Sequence, residues 1–261
     1  MGWRRYLLIP QLTWYALGAP RNQRRAWERY WSRARATGPG GDVLWDAGQP
    51  EEAEAVAARM RAHAHLTLPI VDVGCGNGRQ ARALTGLASR VVGVDASAAA
   101  VRRAREESDE ANLEFRVADV TVDGLGQQLR AELGEANVHI RGVLHIVHPA
   151  DRPTVVRNLA ALLGSRGTAY ICETNAPGDP LDNLVMQGAT PTSMPEVLRR
   201  CVAAGIRPPR HFGPRELAEY FPTAGWEVLE SGPTTMYGVP TRPGGPMQRI
   251  PSYFAVLRTR P

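Results

Sequence analysis

The chain of 261 residues carries 43% hydrophobic and 22% charged residues and a formal net charge of +5. This composition is typical of a globular α/β protein with a full core, and it excludes a disordered chain. No stretch has the roughly 20 apolar residues of a membrane-spanning helix. The apolar segment 6–17 is interrupted by polar residues and proline, so we do not interpret it as a signal peptide. Three sparse cysteines fit a reducing compartment, and we expect a cytoplasmic protein.

Basic charge is concentrated at the N-terminus, where eight of the 31 basic residues, all arginines, lie in the first 40 positions. The rest of the chain is nearly neutral, which argues against a nucleic-acid partner. The same region is rich in tryptophan and tyrosine, and we interpret residues 1–48 as a helical, aromatic cap. Three interpretations stay open: packing on the main domain, cover for an acceptor through Trp14 and Trp45, and peripheral contact with an acidic membrane.

Short apolar runs alternate with helical patterns along the main domain, residues 49–261. Strands are predicted at 70–73, 91–94, 113–117, 138–144 and 168–174, and helices at 51–63, 80–87, 97–108, 125–133 and 153–163. This alternation predicts a doubly wound, mostly parallel sheet. Two closing strands, 226–239 and 252–259, bring the number to seven, with an antiparallel C-terminal strand. Residues 175–212 break the rhythm, and we interpret them as a substrate-cap insertion after the fifth strand.

A glycine-rich turn ends the first predicted strand in Val71-Asp72-Val73-Gly74-Cys75-Gly76-Asn77-Gly78. Glycines allow the backbone to approach a ligand closely, and the helix that follows offers unpaired N–H groups. The dinucleotide fingerprint needs a third glycine where helix and strand pack together, but Arg79 stands there. This departure disfavours the alternative of an NAD(P) oxidoreductase.

Carboxylates follow the next two predicted strands. Asp95 can accept hydrogen bonds from both hydroxyls of a ribose, while Ser97 is the better candidate to cap the following helix. Asp119 follows the third strand. Because ligands of open parallel sheets bind at the carboxyl ends of the strands, the three signals together predict a nucleoside site.

This set of motifs resembles the class I (Rossmann-like) S-adenosylmethionine-dependent methyltransferases over about residues 51–173. The resemblance implies S-adenosylmethionine as the cofactor and S-adenosylhomocysteine as the product. It also implies that Asp119 accepts from the adenine amino group and that apolar neighbours sandwich the ring. The cofactor contacts expected from it are Asp72, Gly74, Cys75, Gly76, Gly78, Asp95, Ala96, Asp119 and Val120.

In such proteins the exit of the fourth strand faces the sulfonium and the acceptor. Arg141 is a charge on a strand covered on both faces, so it needs an anionic partner. The cofactor's methionyl carboxylate, a substrate carboxylate and Glu173 are the candidates, and partial exposure is the alternative. His145 and His148 are candidate bases, together with Glu173 at the end of the fifth strand. We expect Arg141, His145 and Glu173 to converge beside the sulfonium.

The resemblance implies methyl transfer by in-line substitution, which needs alignment more than a fixed catalytic triad. We expect a small-molecule acceptor, hydrophobic or carboxylate-bearing, methylated on oxygen or nitrogen. The alternative is a protein of the same fold that binds S-adenosylmethionine but catalyses a non-methylating reaction such as a cyclisation. The residues predict no metal site, and the acceptor and the oligomeric state stay open.

Overall fold

The strands of the computed structural model form one twisted sheet. The structure describes residues 3–176, 178–242 and 244–260; Met1 and Gly2 of the predicted cap, Pro177 of the predicted insertion, and Pro243 and Pro261 lie outside these ranges. In the described part of the chain the strands are β1 (Ile70–Val73), β2 (Val91–Asp95), β3 (Leu113–Val117), β4 (Asn137–Arg141), β5 (Ala169–Thr174), β6 (Trp226–Gly238) and β7 (Gln248–Thr259).

The strand order is β3-β2-β1-β4-β5-β7-β6. Strands β1 to β5 pair in parallel, and β7 runs antiparallel to both β5 and β6. The predicted seven-stranded, mostly parallel sheet with an antiparallel C-terminal strand is therefore confirmed. The order reverses direction between β1 and β4, and this switch point is where open α/β sheets bind their ligands.

The helices cover both faces of this sheet. They are α1 (Ile9–Tyr15), α2 (Gln23–Arg33), α3 (Pro50–His63), α4 (Arg79–Leu84), α5 (Ala98–Glu106), α6 (Leu125–Leu133), α7 (Arg152–Leu163), α8 (Pro180–Met186), α9 (Glu196–Ala204) and α10 (Pro214–Tyr220). Val71 and Ile140 belong to the core shared with α6 and α7. Ile70 and Phe254 belong to the core on the opposite face, together with Met60 of α3. Successive strand residues alternate between these two cores, as the pleat requires.

Strand β4 is shorter than its apolar run suggests. It ends at Arg141, because Gly142 has a φ of +72° and turns the chain away from the strand. The predicted strand end at residue 144 is therefore wrong. Residues 142–145, which we call the exit loop, leave the sheet beside the end of β5.

The N-terminal segment and the insertion pack on each other. Leu8 is 1% exposed and lies in a common cluster with Met194 and Leu198. On α2, Glu28 accepts hydrogen bonds from the hydroxyl of Ser97 at 2.7 Å and from the amide of Ala99 at 3.1 Å. This carboxylate satisfies one of the free amides at the start of α5 and holds the hydroxyl of Ser97, which caps the amide of Ala100. The cap is therefore an integral part of the fold, since removing it would expose the cluster around Leu8 and leave the start of α5 without Glu28. Within the described residues, no helix is long and apolar enough to cross a bilayer.

Candidate active site

The glycine turn after β1 adopts a conformation that side chains would strain. The φ angles are +75°, +55° and +77° at Gly74, Gly76 and Gly78. A Cβ placed on these three glycines would lie 2.3 Å from Val143, 2.8 Å from Trp31 and 2.4 Å from Phe115. The turn therefore excludes side chains both by conformation and by space. A close approach of backbone to a bound nucleoside needs such a turn.

Asp95 at the end of β2 holds this turn in place. Its carboxylate accepts hydrogen bonds from the amide of Gly76 at 3.0 Å and from the amide of Ser97 at 2.8 Å, one on each oxygen. Each oxygen keeps a further lone pair, which suits the two hydroxyls of a ribose. Burial raises the pKa of Asp95 to about 6, against the opposing effect of the two amide bonds. The donor and acceptor pattern therefore fits a nucleoside, and the group is poised to titrate near neutral pH.

Asp119 follows β3 at the same edge of the sheet. One of its oxygens accepts from the amide of Thr121 at 2.9 Å and from the hydroxyl of Thr121 at 2.6 Å. The turn uses one oxygen and leaves the other for a ligand, as the adenine assignment needs. Ala96 and Val120 lie half-buried beside these carboxylates in the chain.

Two residues of the glycine motif lie inside the protein, beneath the turn. Asp72 is 2% exposed and pairs with Nδ1 of His139 on β4 at 2.7 Å. Its second oxygen and Nε2 of His139 have no hydrogen-bond partner among the described residues. Cys75 is buried as well, and burial raises the pKa of its thiol well above the ordinary value. The thiol is therefore a packing group rather than a nucleophile.

Asp46, which follows Trp45 in the chain, joins the cap to the glycine turn through contacts that the sequence did not predict. It is 5% exposed and accepts from the amide of Gly38 at 2.6 Å, from the side-chain amide of Asn77 at 2.9 Å and from the guanidinium of Arg79. Arg79 was the sequence feature that could have indicated this contact. A charged residue that stands where a helix packs on a strand needs an acidic partner. This network fixes the end of the cap against the glycine turn and the start of α4.

Aromatic side chains of the cap form a cluster above the glycine turn. Trp45 stacks on Tyr30 with ring centroids 5.1 Å apart and meets the edge of Trp27 at 5.1 Å. Trp31 belongs to the same cluster and covers Gly76. Trp45 therefore lies close to the candidate cofactor site. Trp14 is 71% exposed, so the geometry gives its predicted acceptor contact no support.

Glu173 organises the exit loop from the end of β5. This fully buried carboxylate accepts from the amides of Val143 at 3.0 Å, Leu144 at 2.9 Å and His145 at 3.1 Å. It also bonds Nδ1 of His145 at 2.5 Å. Four hydrogen bonds occupy the carboxylate, so Glu173 is a positioning residue and not the base that the sequence suggested.

His145 is the group that this arrangement orients. Its Nδ1 is held by Glu173, and within the described ranges no hydrogen bond uses Nε2. The exit loop that carries it is locked to the glycine turn, because Val143 packs against Gly74. An imidazole held in this way by a carboxylate has the arrangement of a general base.

Arg141 does not join His145 and Glu173. Its guanidinium pairs with both oxygens of Glu52 on α3, and Glu52 is 9% exposed. In the register of β4 and β5, Arg141 lies opposite Cys172, so Glu173 points to the other face of the sheet. The expected convergence of three side chains is therefore wrong for Arg141, and its anionic partner is a residue of this chain that the sequence did not suggest.

His148 has a local structural contact. It is exposed, and its Nδ1 accepts from the amide of Ala150 at 3.3 Å at the start of the short 3₁₀ helix Pro149–Asp151. It lies outside the pair formed by His145 and Glu173. The geometry therefore favours His145 of the two candidate histidines.

The sheet order, the glycine turn and the carboxylates at the strand ends define a Rossmann-like nucleoside-binding protein. Residues 70–167 match the family model described as a methyltransferase domain. A solved S-adenosylmethionine-dependent methyltransferase from Anabaena variabilis ATCC 29413 is 28% identical, with 93% of this chain and 97% of that chain covered and a TM-score of 0.79. Residues 70–167 therefore form a methyltransferase domain, the fold is that of the class I S-adenosylmethionine-dependent methyltransferases, and S-adenosylmethionine is the cofactor.

More distant structures share the fold. A protein solved in work on the conversion of a disulfide bond into a thioacetal group during echinomycin biosynthesis is 21% identical, covering 88% of this chain and 91% of that chain with a TM-score of 0.63. Magnesium protoporphyrin IX methyltransferase from Synechocystis PCC 6803, with S-adenosylhomocysteine bound, is 17% identical. The match covers 83% of this chain and 85% of that chain, with a TM-score of 0.55. None of the curated proteins matches the sequence.

Proposed function

We propose that this protein methylates an oxygen or nitrogen of a small-molecule acceptor, hydrophobic or carboxylate-bearing, and that His145 is the general base. The observation that carries the proposal is the hydrogen bond between Glu173 and Nδ1 of His145 at 2.5 Å, in a loop that packs against the glycine turn. The proposal thus places a proton acceptor, His145, next to the cofactor site at the glycine turn.

The bound cofactor supplies a methyl carbon already activated by the sulfonium. The chain's own part is to hold the cofactor through the glycine turn, Asp95 and Asp119, and to align an acceptor with it. Alignment alone can lower the barrier by about 7–11 kcal/mol. The cap and the insertion, which pack together, provide cover that excludes water from the reacting groups.

A proton acceptor is needed because hydroxyl groups and protonated amines become good nucleophiles only when they lose a proton. With Nδ1 donating to Glu173, Nε2 of the neutral imidazole carries the free lone pair. The buried carboxylate then stabilises the imidazolium that forms when Nε2 takes the proton. The tautomer and the ring orientation both follow from the position of Glu173.

Two features support a small acceptor. The chain outside the N-terminal 40 residues is close to neutral, whereas nucleic-acid binding needs a broad basic surface. The cap also packs on the insertion and places Trp31 against Gly76 of the glycine turn, which favours an enclosed acceptor site. Both features are compatible with either an oxygen or a nitrogen acceptor.

The test is formation of S-adenosylhomocysteine against a panel of phenols, carboxylic acids and amines, followed by mass spectrometry of the product. With an active acceptor, we expect His145→Gln to lower kcat by about 10²- to 10⁴-fold while the affinity for S-adenosylhomocysteine is unchanged. His148→Gln is the matched control and should keep kcat. A near-normal kcat for His145→Gln would refute the base assignment, and turnover of the cofactor without methylated product would favour the non-methylating alternative.

A further inference from the structure

A cavity lies away from the glycine turn, between the cap and the insertion. Its volume is about 460 Å³, within the range of small-molecule sites. One wall comes from α1, α2 and the loop after α2, and the opposite wall comes from α9. The residues assigned to the cofactor and to the exit loop do not line it, so the methyl-transfer site does not account for it.

The charged groups of this cavity carry an excess of positive charge. Four arginines face two acids: Arg33, Arg35, Arg199 and Arg200 against Asp42 and Glu196. Each acid already has a partner, since Arg200 pairs with Asp42 at 2.7 Å and Arg199 bonds Glu196 at 2.8 Å. Two positive charges therefore remain without compensation at the cavity.

Those two charges belong to Arg33 and Arg35. Among the described residues, neither guanidinium has a hydrogen-bond acceptor or an acidic partner. A guanidinium presents paired N–H groups that match a carboxylate or a phosphate, so two free ones beside a cavity favour an anion. Electrostatic focusing in a concave surface strengthens that preference.

The remaining walls are apolar and aromatic. The ring of Tyr30 is held by the aromatic cluster, Tyr15 lies under the guanidinium of Arg199 at 5.9 Å, and alanines of α9 leave space between them. Rigid rings and small residues suit a flat apolar body. The occupant that matches both parts of the cavity is an aromatic anion.

We propose that this cavity is a second binding site, which takes an organic anion with an aromatic body and a carboxylate or phosphate group held by Arg33 and Arg35. The site does not depend on which acceptor the enzyme methylates. Because its walls come from both the cap and the insertion, an occupant joins the two segments and stabilises the folded state.

The experiment titrates benzoate and phenyl phosphate into the full chain saturated with S-adenosylhomocysteine, by calorimetry and by thermal unfolding. Saturation of the cofactor site keeps the probes from binding there. We expect saturable 1:1 binding of at least one probe with a rise in Tm, and no binding of the neutral benzyl alcohol. The probe that binds more tightly shows whether the site prefers a carboxylate or a phosphate group.

Variants distinguish the site from general attraction by a basic surface. The double variant Arg33→Gln/Arg35→Gln should weaken binding by about tenfold or more, the effect of losing charge-assisted hydrogen bonds. The control Arg24→Gln/Arg25→Gln removes the same charge from exposed positions on α2 outside the cavity and should leave affinity unchanged. Filling the space with Ala203→Trp should abolish binding. Absence of saturable binding in the wild type, or equal weakening in both double variants, would overturn the proposal.

Discussion

Replacing Asp95 by alanine tests the cofactor site at a residue whose interactions can be counted. Each carboxylate oxygen accepts one amide, from Gly76 or Ser97, and keeps one lone pair for a ribose hydroxyl. Alanine removes the charge-assisted hydrogen bonds to the ribose and also leaves the amide of Gly76 in the turn without its acceptor. A hydrogen bond to a charged group contributes about 1.5–3 kcal/mol, so we expect S-adenosylhomocysteine to bind about 10- to 150-fold more weakly.

The assay is calorimetric titration with S-adenosylhomocysteine at pH 7.5. Thermal unfolding of the same variant separates loss of the site from loss of the fold. Asp109→Ala removes an exposed carboxylate from the loop between α5 and β3 and serves as the matched control. Equal affinities for wild type and Asp95→Ala would refute the ribose assignment.

The pH dependence of binding gives an independent check of the same residue. Burial raises the pKa of Asp95 to about 6, so the free protein holds a proton there in mildly acidic solution. Ribose hydroxyls donate to the ionised carboxylate, which means that binding favours loss of this proton. Affinity should therefore fall by about tenfold between pH 7 and pH 5 in the wild type, and the dependence should be absent in Asp95→Ala. A flat wild-type profile over this range would show that Asp95 does not receive the ribose.

Further variants test the turn, the cap and the buried ion pair. Gly76→Val places a Cβ 2.8 Å from Trp31 at a φ of +55°, so we expect no detectable cofactor binding, whereas Gly86→Ala, in open space, should bind normally. Asp46→Asn weakens the bond to Arg79 and should lower the free energy of unfolding by about 1.5–3 kcal/mol in urea titrations; no change would show that the cap is held elsewhere. Arg141→Gln leaves a buried carboxylate of α3 uncompensated and should cost about 3–5 kcal/mol of stability. A variant of normal stability with weakened cofactor binding would instead support the methionyl carboxylate as its partner.

Local sequence was sufficient for the framework. The alternation of apolar runs and helices predicted the sheet, because strand and helix periodicities are properties of short segments. The glycine turn and Asp95 were predicted for a similar reason: special backbone conformations and strand-end carboxylates can be recognised from neighbouring residues. The end of β4 was placed too late, since an apolar run continues past the glycine that ends the strand.

Partners distant in the chain could not be predicted in this way. Arg141 needed an anion, but Glu52, 89 positions earlier, meets it only after α3 packs on the sheet. The pairing of His145 with Glu173, and the separation of Arg141 from both, depend on strand register, because a shift of one residue moves a side chain to the opposite face. The sequence by itself therefore determined the fold and the cofactor, which depend on local periodicity and on a turn. Tertiary structure alone decided which charged groups neutralise one another and which remain free to act, because such pairs form between segments that only packing brings together.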